Sequence, residues 1–184
     1  METYDPEKVG ERIAWGRSHT VYRYGESEVI RFPSLEKFLG SKLQERIERD
    51  IALCEKYLGE YVLPTRMAHD PESGRVATIQ PYITGHYLSK DDMSDPEIKR
   101  QFVDFLALHE RMIADGHSPV ELIGEHGVFH RRLSNIMVLP DKKLRIFDAF
   151  IADYFGVERA LPLFRIARKL VLARQASTIR HLLS

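Results

Sequence analysis

The stretch His130-Arg131-Arg132-Leu133-Ser134-Asn135-Ile136-Met137-Val138, followed after a turn by Ile146-Phe147-Asp148-Ala149-Phe150, decides how the rest of the chain is read. Two apolar runs, Ile136 to Leu139 and Leu144 to Phe147, flank the turn Pro140-Asp141-Lys142-Lys143, a pattern that predicts a short β-hairpin. Asn135 and Asp148 stand at its open ends, 13 positions apart. A hairpin of that length brings its ends together, so an amide oxygen and a carboxylate oxygen are expected within reach of one hard cation. A surface hairpin with an Asn before it and an Asp after it would carry the same residues. The weight of the pattern therefore depends on its company.

Composition sets the frame. The chain has 184 residues, 27 of them basic and 27 acidic, with a formal net charge of zero. Apolar residues make up 43% and charged residues 29%, ordinary values for a chain that buries a core and unlike those of a disordered one. Balanced charge gives no clear nucleic-acid signature, which would need a strongly basic face. No run approaches the ~18 consecutive apolar residues of a membrane span. The opening METYDPEKVG is acidic and polar, unlike a secretory signal, so a cytoplasmic location is expected. The single cysteine, Cys54, excludes an internal disulfide framework and a cysteine-rich zinc site.

Upstream of the hairpin, Ile13 to Trp15, Thr20 to Tyr24 and Glu28 to Phe32 read as a three-strand meander broken at Gly16-Arg17-Ser18-His19 and Gly25-Glu26-Ser27. From Ser41 to Leu58, Leu43, Ile47, Ile51, Cys54 and Leu58 recur at helical spacing. Two more strands, Thr65 to His69 and Arg75 to Ile79, flank a turn at Asp70-Pro71-Glu72-Ser73-Gly74. Residues 80 to 96 read as a connection, after which Asp95 as N-cap and Pro96 open a helix stopped by Gly116. Its stripe is Ile98, Phe102, Phe105, Leu106, His109 and Ile113, which makes His109 a core residue. The tail from Val157 to Leu183 is expected to form two helices broken near Ala176-Ser177.

Four segments in this order resemble the protein-kinase and small-molecule-kinase superfamily. Asn135 and Asp148 match its two magnesium-binding positions, with Asp148-Ala149-Phe150 standing for Asp-Phe-Gly. Ile13 to Tyr22 resembles the phosphate-covering hairpin, keeping only Gly16 of three expected glycines. Glu28-Val29-Ile30-Arg31 resembles Val-Ala-Ile-Lys, so Arg31 stands for the phosphate-pairing lysine, with Glu48, 17 positions on, or Glu45 as its ion-pair partner. Ala77 to Gly85 resembles the last strand and hinge, where Gln80, the Pro81 carbonyl and the Ile83 N–H would meet an adenine. The resemblance implies ATP and magnesium as ligands. It also implies an α+β, minimal kinase-like two-lobed fold: residues 1–84 an antiparallel sheet with one helix, and 85–184 a truncated, mainly helical lobe. The plan further resembles very small bacterial kinase-like proteins, the PhoP regulatory network proteins, in its Asn-Ile-Met run, hairpin, Asp and apolar-basic tail.

The departures bear on function. The superfamily's catalytic aspartate stands five residues before the asparagine, where this chain has His130. A neutral histidine can act as general base, but Arg131 and Arg132 beside it lower its basicity. Together with Arg31 they are expected to make a basic cleft. After Asp148 only 36 residues follow, too few for the substrate platform of a protein kinase, so ordinary protein phosphorylation is not expected. Three readings result. In the first, a degenerate kinase-like protein binds a nucleotide with weak or no phosphotransfer and serves regulation. In the second, an active phosphotransferase acts on a small hydroxylated substrate, with His130 or Asp153 as base. In the third, a non-enzymatic interaction domain meets a protein or small-molecule partner, using its basic tail from Arg165 to Arg180.

Overall fold

The computed structural model describes residues 1–15, 19–33, 42–123, 132–148, 151 and 162–184, with the side chains of 162–165 left aside. The chain divides into two compact units, Met1–Ala52 with Leu63–Ile83 and Leu53–Val62 with Thr84–Ser184.

The first unit is built on a six-stranded sheet. Its strands are β1 (Glu2–Thr3), β2 (Val9–Trp15), β3 (His19–Tyr24), β4 (Glu28–Pro33), β5 (Arg66–His69) and β6 (Val76–Pro81), in the order β1-β5-β6-β4-β3-β2. The expected meander is β2-β3-β4, and the expected hairpin is β5-β6, closed where Asp70 Oδ1 accepts the Glu72 and Ser73 amides. Every pairing is antiparallel except β1 with β5. The period-2 alternation places Tyr24, Ile30, Phe32, Ala68, Ala77 and Ile79 in one apolar cluster with Tyr4. Tyr4 and Tyr22 both meet Phe32 edge-on, with centroids 5.6 and 5.8 Å away.

Helix α1 (Lys42–Leu58) begins in the first unit and ends in the second. Leu43, Ile47, Cys54 and Leu58 are buried as their spacing implies, but Ile51 is only half-buried. Arg46 and Asp50 take the remaining inward positions, each with a side chain about 5% exposed or less than a tenth so.

In the second unit, β7 (His86–Tyr87), β8 (Ile136–Val138) and β9 (Leu144–Ile146) form an antiparallel sheet in the order β7-β8-β9, which realises the expected hairpin. Gly85 precedes β7 at a backbone crossing: a Cβ there would stand 2.3 Å from the Val138 carbonyl oxygen. Helix α2 (Pro96–Ala114) starts as read, with Asp95 Oδ1 accepting the Glu97 and Ile98 amides, and Gly116 ends it at φ +89°. Ile98, Phe102, Phe105 and His109 face inward, but Ile113 is 42% exposed and Met112 fills the last inward turn. One residue of helical phase, 100°, separates the two.

The tail forms one continuous helix, α3 (Pro162–Leu183), not two helices broken near Ala176-Ser177. Alanine is the best helix former and serine costs only about a few tenths of a kcal/mol relative to it. The Thr178 hydroxyl donates to the Arg174 carbonyl 3.0 Å away and so satisfies itself within the helix. No helix among the described residues is long and apolar enough to cross a membrane.

Candidate functional site

Each unit carries one group of the residues singled out by the sequence. In the first unit, β4 sets Arg31 opposite Val21 of β3 and Thr78 of β6, with Gln80 two register pairs away opposite Val29. Arg31 is 8% exposed. Its Nη1 donates to Gln80 Oε1 at 3.2 Å, and Nη2 lies 3.4 Å from His19 Nδ1. Gln80 Nε2 in turn donates to Thr65 Oγ1 at 2.7 Å, and Thr65 to the Leu63 carbonyl at 2.9 Å. The cation is thus aimed by a chain of polar groups anchored in the sheet.

Gln80, at the hinge end of β6, turns its side-chain oxygen to Arg31. Pro81 and Ile83 are half-buried at the end of β6 and just beyond it. Between them the Tyr82 amide donates to the Ser27 carbonyl at 2.8 Å, and the Arg23 guanidinium covers the Tyr82 ring at 3.4 Å. Glu48 is exposed and accepts Gln44 Nε2 from its own helix at 2.9 Å, and Glu45 is exposed too. No Arg31–Glu48 contact occurs among the described residues. The acid that α1 buries is Asp50, 19 positions after Arg31, with Arg49 Nη2 at 2.8 Å and Arg46 Nε at 3.7 Å. Sequence reading missed it, although 43, 47, 50, 54 is itself a helical stripe.

In the second unit, Asn135 opens β8 and is buried. Its amide N–H donates to the Leu122 carbonyl at 3.2 Å, and its side-chain Nδ2 to the Glu121 carbonyl at 2.8 Å. The Asn135 carbonyl accepts the Phe147 amide at 3.3 Å, which extends the ladder one pair beyond Ile136–Ile146. Asp148, half-buried, is the next residue, so both polar side chains sit at the same end of one hairpin. With Nδ2 tied, Asn135 Oδ1 keeps its lone pairs, having no hydrogen-bond partner among the described residues. Tyr87 of β7 lies alongside, 6.4 Å from the Phe147 ring and beneath the Arg132 guanidinium at 5.2 Å. Gly16, His130 and Arg131 lie outside the described residues, as does Asp153.

No group of three or more His, Cys, Asp or Glu side chains positioned to hold a metal occurs among the described residues. An amide oxygen and a carboxylate are both hard donors, the kind that suits a cation whose remaining ligands come from phosphates and water. His109 is a core residue: its Nε2 accepts the Val120 amide at 3.0 Å, and burial pushes its pKa down to about 4. Cys54 is likewise fully buried.

No family model and no curated protein matches this chain. Solved structures do. The chain is similar to a structure of the Legionella pneumophila Lpg2603 kinase bound to IP6, with a TM-score of 0.55 and 14% sequence identity over 92% of this chain. It spans 56% of that chain's length. At such identity the likeness is one of fold. The protein has a kinase-like α+β fold, with an antiparallel-rich N-terminal sheet and few helices.

Proposed function

We propose that this protein is a degenerate kinase-like protein that binds a nucleotide together with magnesium, transfers phosphoryl groups weakly or not at all, and acts in regulation. The observation that carries the reading is the end of the β8–β9 hairpin. Asn135 is fixed by three hydrogen bonds that leave Oδ1 without a partner among the described residues, and Asp148 follows the residue paired with it. In the second unit Asn135 and Asp148 would hold the cation; in the first, the kinase resemblance assigns Arg31 to phosphate oxygens. The cation would neutralise phosphate charge when bound. The resemblance assigns the backbone groups of Pro81 and Ile83 to the base. With His130 in the aspartate's place, the general base is weak, which favours binding over turnover. The likeness to the PhoP regulatory network proteins in the order of elements agrees with a regulatory role. The fold likeness to a protein named as a kinase supports a second reading, phosphotransfer to a small hydroxylated acceptor.

Thermal unfolding with Mg-ATP, with ATP and EDTA, and with no ligand tests the reading. A ligand at 100 times its Kd stabilises by about 2.7 kcal/mol. The expected result is a clear upward shift in Tm with Mg-ATP that is lost in Asp148→Ala. Equal Tm values with and without Mg-ATP would overturn the nucleotide reading, and release of phosphate at an ordinary kinase rate would favour the second.

A further inference from the structure

The groups that hold Asn135 are themselves held by the tail helix. Gln175, in α3, is 4% exposed and 40 positions beyond Asn135 in sequence. Its Oε1 accepts the Leu122 amide at 2.8 Å, and its Nε2 donates to the Val120 carbonyl at 3.0 Å. The two carbonyls that receive Asn135 belong to Glu121 and Leu122, in the middle and at the end of that clasp. At the start of the segment, Val120 N–H donates to His109 of α2. Residues 120–122 thus form a bracket with α2 and α3 on one edge and Asn135 on the other. Val120, Leu122 and Gln175 are all buried, so water does not readily replace a bond removed from the bracket.

We infer that Gln175 is a positioning residue for Asn135, acting through the 120–122 backbone to fix where the Asn135 amide oxygen stands. The inference rests on the proposed role of Asn135 for its functional consequence, but its structural content is independent of that role. An amide side chain is required: a carboxylate could keep the Leu122 bond yet could not donate to Val120, and an alkyl chain could keep neither. Outer-sphere groups that orient a metal ligand change cation affinity by about 10-fold to 100-fold when removed.

The experiment compares wild type, Gln175→Met, Gln175→Glu and Leu182→Ala. Leu182 is a buried residue of the same helix that serves as a control for loss of α3 packing. Two readouts are followed: hydrogen exchange of the Asn135 side-chain amide by NMR, and the Kd for ATP with and without magnesium. Gln175→Met is expected to speed Asn135 amide exchange about tenfold and to raise the Kd for Mg-ATP about tenfold, with the magnesium-free Kd changed less than about twofold. Gln175→Glu, which keeps one of the two bonds, is expected to fall between it and wild type and provides the reading should the Met variant not fold. Leu182→Ala is expected to lower Tm while leaving both readouts near wild type. Unchanged Asn135 exchange in the Gln175 variants would overturn the inference, as would an equal change in Leu182→Ala. If wild type binds no Mg-ATP, the nucleotide reading falls alone, and the exchange readout still decides the role of Gln175.

Discussion

His109 illustrates how a titratable side chain serves as a structural acceptor. Its Nε2 takes the Val120 amide, the Phe105 ring stacks against it at 5.9 Å, and burial holds its pKa at about 4 against an ordinary 6.5. A buried imidazole that stays neutral makes the unfolded chain the better proton binder between those two values. Stability from this group is therefore complete above pH about 6.5 and is lost as pH falls toward about 4, where the folded protein also takes up the proton. A shift of that size corresponds to about 3 kcal/mol. Urea denaturation at pH 4.5 and 7.5 measures it, and His109→Gln, whose Oε1 can still accept the Val120 amide, is expected to flatten that part of the pH dependence. A pH response identical in the variant would assign it to other groups. His109 was legible from its place on an apolar stripe. Asp50 was not, because a carboxylate on such a stripe reads as a flank residue until its Arg46 and Arg49 partners are seen.

Elements were legible where local chemistry punctuates them. Asp95-Pro96 opens α2, Gly116 closes it, and Pro140-Asp141-Lys142-Lys143 turns the β8–β9 hairpin, so their bounds follow from the residues alone. The two-residue strands β1 and β7 were not, since such short segments carry no periodicity and exist only through their partners at 68–69 and 137–138. Asn135 and Asp148 stand out in the sequence because they flank a visible hairpin, whereas Gln101 and Gln175, which bond to the hairpin and to the segment beside it, do not. A lone glutamine on a helix looks like any solvated polar residue, and only tertiary contact reveals its use. Gln101 of α2 makes this testable at the level of the hairpin. Its Nε2 donates to the Lys142 carbonyl at 3.0 Å and its Oε1 accepts the Leu144 amide at 3.1 Å, splinting the turn from the helix side. Gln101→Met keeps the volume and removes both bonds, and is expected to cost about 2 kcal/mol in urea denaturation, chiefly from the stranded Leu144 amide. Faster hydrogen exchange at Leu144 should accompany it. A variant as stable as wild type would show that water satisfies these groups instead.

Across the whole molecule, zero net charge conceals an uneven distribution. Helix α3 carries Arg165, Arg168, Lys169, Arg174 and Arg180 and no acid, and Arg131 and Arg132 stand together before the hairpin. Cationic groups of this kind favour binding of a phosphorylated ligand and at the same time depress the basicity of a histidine next to them. Under the proposed function, with Asn135 and Asp148 as cation ligands and His130 where the resemblance calls for an aspartate, binding and turnover are expected to separate. An aspartate at position 130 would instead be stabilised as a carboxylate by the adjacent arginines and could accept a proton from an attacking hydroxyl or water. A positioned general base contributes about 100-fold to 10,000-fold to a rate. His130→Asp is thus expected to raise kcat for ATP hydrolysis about 100-fold over a slow wild type, with the KM for Mg-ATP within about twofold. The split matters because a change that merely improved folding would move both constants or neither. If the variant binds Mg-ATP as wild type does and its kcat stays the same, the residue at position 130 does not limit hydrolysis, and the weak-base part of the proposed function is overturned.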